Sequence, residues 1–213
     1  YGSIVTVRDT FVKTGYTVSA WTTNDVTVSE GRFTLGADDV EFVASSEINS
    51  YVLTWVVDGV RTEYDYDYAE SIVVPDDPSK RGHTFDGWSP SVPETMPAYN
   101  LEIVAKWKVN SYAYVVNHVD SEGNVLAEQV SGISEYGSTI VAQFAEVVGY
   151  TAPVNVQNIV ITDDPSKNVV NYVYTINQYD VVYKVDGKVE FTDTFDYGSI
   201  VTVRDTFVKT GYT

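Results

Sequence analysis

A chain of 213 residues, 44% of them hydrophobic, has room for one to three ordinary domains. Its formal net charge of −17 excludes nucleic acid and anionic membrane surfaces as partners, and the absence of cysteine excludes a disulfide framework or a thiolate metal site. No apolar run approaches the roughly 18 residues that a membrane span needs, so no membrane insertion is expected from this segment.

Residues 1–17 read YGSIVTVRDTFVKTGYT and recur letter for letter at 197–213, so the sequence repeats with a period of 196 residues. Three landmarks recur in fixed order within that period. The first is Ile48-Asn49-Ser50-Tyr51, Val109-Asn110-Ser111-Tyr112 and Ile176-Asn177-Gln178-Tyr179. The second is a tyrosine followed by a small residue: Tyr68-Ala69, Tyr136-Gly137 and Tyr197-Gly198. The third is Gly-aromatic-Thr: Gly15-Tyr16-Thr17, Gly82-His83-Thr84, Gly149-Tyr150-Thr151 and Gly211-Tyr212-Thr213. The boundaries follow. Residues 48–108 and 109–175 are whole units, 176–213 is the front of a third, and 1–47 is the back of that same type of unit. Units of about 60 residues are marginal alone and lean on their neighbours.

Taken in order, residues 17–21 form a strand after Gly15. Residues 51–57 form the first strand of the next unit, and Asp58-Gly59 turns it into 60–68 as a hairpin. There Tyr64, Tyr66 and Tyr68 take one face and Glu63, Asp65 and Asp67 the other. A proline-bearing crossover at 75–81 allows at most one turn of helix. Strands at 84–88 and 101–107 complete the unit. The second unit has a strand at 112–119, a turn at 120–124, a helical crossover at 141–148 and a last strand at 169–174. The third opens with 179–185, Asp186-Gly187 and 188–195, then a helical crossover at 203–210 closed by Gly211. The fold class is mainly β (α+β). Hairpin, short crossover, strand and strand, with the last strand parallel to the first, make a β-grasp, ubiquitin-like arrangement in an extended tandem array.

Little here carries chemistry. His83 stands where sister units carry Tyr150 and Tyr212, an aromatic packing position, and His118 is a solvated or cross-strand residue. No Ser-His-Asp set or phosphate loop can be assembled, so no enzyme and no catalytic residue is expected. Asp76-Asp77-Pro78-Ser79-Lys80 and Asp163-Asp164-Pro165-Ser166-Lys167 sit at different places in their units, which points to turn chemistry. No cofactor is expected; calcium held by loop carboxylates between units is the alternative. Asp120-Ser121-Glu122-Gly123-Asn124 lacks EF-hand spacing. Tyr64 and Tyr66 are the candidates for a contact surface.

Residues 48–108 resemble the internalin B-repeat, also called the Listeria–Bacteroides repeat. The resemblance rests on Gly82-His83-Thr84-Phe85-Asp86-Gly87-Trp88, Met96-Pro97-Ala98 and Ala105-Lys106-Trp107. The unit split between 176–213 and 1–47 looks like a diverged version, keeping Gly15 and Trp21 but ending in Phe42-Val43-Ala44. Residues 109–175 are similar to the MucBP repeat, through Tyr114-Val115-Val116, Gly149-Tyr150-Thr151 and Asn171-Tyr172-Val173-Tyr174. The resemblance implies β-grasp domains in the stalk of a secreted or wall-anchored bacterial adhesin that projects a distal binding domain. The rival reading is a module, carried by 109–175, that binds mucin-type glycans or a host protein. The expected partners are otherwise neighbouring repeats, with head-to-tail completion of the split unit.

Overall fold

The computed structural model describes residues 2–205. The chain forms two compact units, Tyr1–Lys80 with Thr84–Lys108, and Arg81–His83 with Val109–Thr213.

The first unit contains β1 (Ile4–Thr6), β2 (Tyr16–Val18), β3 (Arg32–Thr34), β4 (Ser46–Ile48), β5 (Ser50–Val57), β6 (Val60–Asp67), β7 (His83–Ser89) and β8 (Leu101–Val109). Its main sheet has the order β6-β5-β8-β7, and the pairs β1-β3 and β2-β4 are separate. The β5–β6 hairpin closes at Asp58 (φ 49°) and Gly59 (φ 82°), the two positive values a type I′ turn requires. β5 runs parallel to β8, with Leu53 opposite Leu101 and Trp55 opposite Ile103. β8 alternates buried Leu101, Ile103 and Ala105 with exposed Glu102, Val104 and Lys106. The core is Leu53, Trp55, Met96, Leu101 and Ile103, with Trp88 packed against it.

The second unit contains β9 (Ser111–Val119), β10 (Val130–Glu135), β11 (Thr139–Ala142), β12 (Tyr150–Thr151), β13 (Gln157–Val160), β14 (Val169–Val173), β15 (Thr175–Ile176), β16 (Gln178–Val185) and β17 (Lys188–Asp196). The sheets are β10-β9-β14, β11-β13, β12-β15 and β16-β17. β9 and β14 are parallel, with Val116 opposite Val170 and His118 opposite Tyr172. The parallel return of the last strand beside the first thus occurs in both whole repeats. Val116, Ile159, Ile161, Val170, Tyr172 and Tyr174 lead the core.

One expectation is corrected and one is narrowed. First, the described residues contain no α-helix, and their one helical element is a 3-10 turn at Pro165–Lys167, so the helical share of the α+β reading is absent from them. Residues 141–148 continue β11 for two residues and then run irregularly to a turn. The tyrosine hydroxyls of the last strand explain why. Tyr174 accepts from the Ala145 amide at 2.9 Å and donates to the Ala145 carbonyl at 2.7 Å, while Tyr172 donates to the Ala142 carbonyl at 2.7 Å. Backbone groups that a helix would have to pair internally are satisfied from outside. β-branched Val141, Val147 and Val148 weaken helix propensity further. The other proposed helix, 203–210, is irregular at 203–205 and otherwise lies outside the described residues.

Second, of the two readings of His118, solvated or cross-strand, the cross-strand one holds. His118 is 1% exposed, stacks on Tyr172 with ring centroids 6.0 Å apart, and places Nδ1 3.1 Å from the Tyr174 hydroxyl. It is the cross-strand neighbour of Tyr172, on the inward face. Burial lowers its pKa below the ordinary 6.5.

The sign of the linkage follows. The unfolded chain takes up a proton at this side chain near pH 6.5, and the folded chain does so only at lower pH. His118 therefore removes stability from the second unit as pH falls through 6.5. The stability advantage of wild type over His118→Phe is expected to shrink between pH 7.5 and pH 5. Urea midpoints of both chains at each pH check this.

Candidate functional site

The three sequence landmarks converge on one local arrangement, seen once in the first compact unit and twice in the second. Its floor is a glycine in the left-handed region: Gly15 (φ 76°), Gly82 (φ 71°) and Gly149 (φ 81°). Its lid is a tyrosine from the following repeat, and the ring lies directly on the glycine. A Cβ on Gly15 would fall 2.0 Å from Cγ of Tyr68, on Gly82 2.2 Å from Cγ of Tyr136, and on Gly149 2.0 Å from Cδ1 of Tyr197. Only glycine leaves room for that approach, and only glycine takes that φ without strain.

The asparagine of the first landmark ties floor to lid. The Asn49 amide donates to the Gly15 carbonyl at 2.9 Å, Asn110 to Gly82 at 2.9 Å and Asn177 to Gly149 at 2.8 Å. In turn the Tyr68 amide donates to the Asn49 carbonyl at 2.9 Å, Tyr136 to Asn110 at 2.9 Å and Tyr197 to Asn177 at 2.8 Å. The asparagine side chain is engaged too. Thr17 donates its hydroxyl to Asn49 Oδ1 at 2.7 Å, and Thr151 to Asn177 Oδ1 at 2.6 Å.

At two of the clasps the aromatic after the glycine adds to the packing. Tyr16 meets Tyr68 edge-on at 6.1 Å, and His83 meets Tyr136 edge-on at 6.0 Å. His83 therefore packs as the aromatic its sister units suggested, with Nδ1 2.9 Å from the Arg81 carbonyl. The small residue after each lid tyrosine is also left-handed, at Ala69 (φ 64°), Gly137 (φ 80°) and Gly198 (φ 77°). Ala69 pays a steric cost there that glycine would not.

One clasp carries an ion pair. Arg81 meets the Asp163 carboxylate with Nε at 3.0 Å from both oxygens and Nη2 at 2.6 Å from Oδ1. Hydrogen bonding between the two raises the Arg81 pKa and lowers that of Asp163. Its neighbour Asp164 caps the 3-10 turn by accepting from the Ser166 amide at 3.1 Å, the turn chemistry read from the Asp-Asp-Pro-Ser-Lys string.

Tyr64 and Tyr66, the proposed contact residues, share one face of β6. Tyr64 is exposed, whereas Tyr66 is half-buried against the core. Both line a cleft of about 360 Å³ with Trp55, Val73, Pro75 and Trp88. Among the described residues no three histidine or carboxylate side chains gather where a metal ion could be held. Sequence reasoning used the glycine and the tyrosine as registration marks and missed that they touch. The signal was their fixed order in every repeat.

Over residues 51–106 the chain matches the Listeria–Bacteroides repeat domain, and it is a protein that carries a repeat of that family. The match falls on the unit whose floor glycine is Gly82 and whose lid tyrosine is Tyr68. Among relatives, a Gly-rich membrane protein of Evansella cellulosilytica is 31% identical over 157 residues, 66% of this chain and 18% of its own length. Another membrane protein of that organism is 27% identical over 233 residues, 94% of this chain and 34% of its own. Internalin H of Listeria monocytogenes is 29% identical over 110 residues, 46% of this chain and 20% of its own. The chain thus spans about a third or less of each of these relatives.

Two substitutions read the clasp in opposite directions. Gly149→Ala is expected to destabilise the second unit by at least ~1 kcal/mol, because the methyl group forces the Tyr197 ring away and takes up a left-handed φ. Ala69→Gly is expected to stabilise the first unit by roughly 0.5–1 kcal/mol, the backbone strain relieved less the entropy glycine loses. Chemical denaturation of each variant against wild type measures both.

Proposed function

We propose that this chain is a spacer from a bacterial cell-surface adhesin, a stretch of stalk built from tandem β-grasp units that project a distal binding domain. The clasp carries the reading. At each repeat boundary an asparagine is bonded on both sides and a tyrosine is seated on a glycine, where a flexible tether would offer solvated Gly/Ser chain. A spacer needs boundaries that do not bend freely, and these residues are spent on that.

Other observations support the same reading. In both whole repeats a hairpin strand is joined by a parallel last strand, the β-grasp connectivity. The family match and the similarity to internalin H favour a surface protein. Residues 109–175 are a MucBP-type unit on this view, serving as a spacer like its neighbours. The net charge of −17 keeps adjacent stalks apart through mutual repulsion. The mechanism is mechanical and uses no cofactor.

A length-preserving exchange tests it. Replacing this segment, within the surface protein that carries it, by an unrelated folded spacer of equal length is expected to leave host-cell binding unchanged. Shortening the segment is expected to lower it. Loss of binding on the equal-length exchange, together with retention of the isolated chain on a mucin-glycan array, would favour the binding-module reading instead.

A further inference from the structure

Tension that enters a folded repeat is met first by the bonds between its first and last strands. The direction in which those strands run decides how the bonds are loaded. In the matched repeat the first strand is β5 and the last is β8, and they are adjacent and parallel. The chain enters β5 at Ser50 and leaves β8 at Val109. In a parallel pair those two points lie at opposite ends. Pulling them apart slides one strand along the other, so all the bonds between them are strained together. In an antiparallel pair the two points would lie at one end, and the bonds would open one at a time.

Residues 109–175 have the same arrangement. The chain enters β9 at Ser111, and β14 runs parallel to β9 from Val169 opposite Val115 to Val173 opposite Val119. At the two ends of that ladder the Val115 amide donates to the Asn168 carbonyl at 2.9 Å and the Tyr174 amide to the Val119 carbonyl at 2.8 Å.

In the matched repeat the parallel pair is also shielded. The sheet order β6-β5-β8-β7 puts both of its strands inside. The part of β5 that pairs with β8 is residues 53–56, and all four are buried. Leu53 and Trp55 face the core, and Thr54 and Val56 face the other way. On that outer face Arg61 of β6 stands opposite Val56, and Glu102 of β8 stands opposite Thr54. Their side chains meet at 2.6 Å, so the ion pair crosses β5. A strand covered on both faces and both edges leaves little room for water to compete for its bonds. Hydrogen bonds kept from water are also the stronger ones electrostatically.

We propose that the repeats at 48–108 and 109–175 are tension-bearing clamps, each resisting a pull along the chain through shear of its parallel strand pair. Their use under tension rests on the spacer reading, whereas the shear resistance rests on strand geometry alone. Forced unfolding is governed by the unfolding barrier, so the resistance depends on the direction of pull while equilibrium stability does not.

The chain has no cysteine, so thiol-linked DNA handles for optical tweezers can be placed on the full-length protein at chosen sites. Ser50→Cys with Lys108→Cys loads β5 and β8 at opposite ends. Ser50→Cys with Tyr99→Cys loads them at neighbouring ends, because Leu53 stands opposite Leu101. All three positions are exposed, and the two double variants are expected to show the same urea midpoint. At one loading rate the first pair is expected to unfold its repeat at no less than twice the force of the second. In 109–175 the same ordering is expected for Ser111→Cys with Thr175→Cys over Ser111→Cys with Lys167→Cys, again all exposed positions. The proposal is overturned if the two directions of pull unfold a repeat at the same force, or if the opposite-end pair gives way first. If the equal-length exchange of the segment lowers host-cell binding while the opposite-end pairs stay the stronger, the spacer reading fails and the clamp stands. Unchanged binding with no difference between the pulls leaves the spacer and removes the clamp.

Discussion

A tyrosine ring resting on a glycine α-carbon is the contact around which each repeat boundary is arranged. Dispersion between an aromatic face and a backbone is weak atom by atom, and it adds up only when the surfaces meet at van der Waals distance. A side chain at Gly15, Gly82 or Gly149 would hold the ring off. The same residue must also accept a positive φ, which turns its carbonyl toward the amide of the boundary asparagine. One residue type satisfies both demands, and the asparagine then bonds the glycine on one side and the tyrosine on the other. Three short motifs, far apart in sequence, become a single object through these bonds.

The small cores set the second constraint. In the matched repeat five residues are buried around Leu53 and Ile103, and the last strand must return beside the first before they are covered. In residues 109–175 the same return is reinforced by polar contacts. Tyr172 and Tyr174 send hydroxyls across the core into the backbone of the crossover, and Asn168 donates to the Thr162 carbonyl at 2.8 Å. Each is a buried polar group with a partner, so it fixes geometry without an unpaired penalty. In residues 1–47 the corresponding positions Leu35, Val40 and Phe42 are half-buried.

Much of this was legible in the sequence for definite reasons. Asp58-Gly59 and Asp186-Gly187 announce hairpins because few dipeptides accept two positive φ values. The alternation of residues 101–107 announces a strand buried on one face. The crossover at 141–148 was misread because its conformation is fixed by hydroxyls from residues 172 and 174, which a local window does not contain. Of the two readings open for His118, solvated or cross-strand, the cross-strand one holds, and its burial was readable as well. His118 has the same parity as Tyr112, Tyr114 and Val116 along β9, so the alternation places it on the face that those residues turn to the core. The clasp was half-legible: recurrence marked its members, but contact between residues 15, 49 and 68 is a tertiary fact.

The balance of forces at the clasps also fits an acidic chain. Thirty carboxylates against 13 Lys and Arg make acidic neighbours repel. Cations appear beside two of the three floor glycines. Lys13 sits 3.5 Å over the Tyr16 ring, and Arg81 holds Asp163. Both are exposed, so salt screens them and their contribution is small. The third clasp, at Gly149, has Val147 where the first has Lys13, and its backbone bonds are as short as those of the others. The clasp is therefore made by shape and backbone pairing, with charge as a local offset. Contacts of that kind persist across ionic strengths at which surface ion pairs fade.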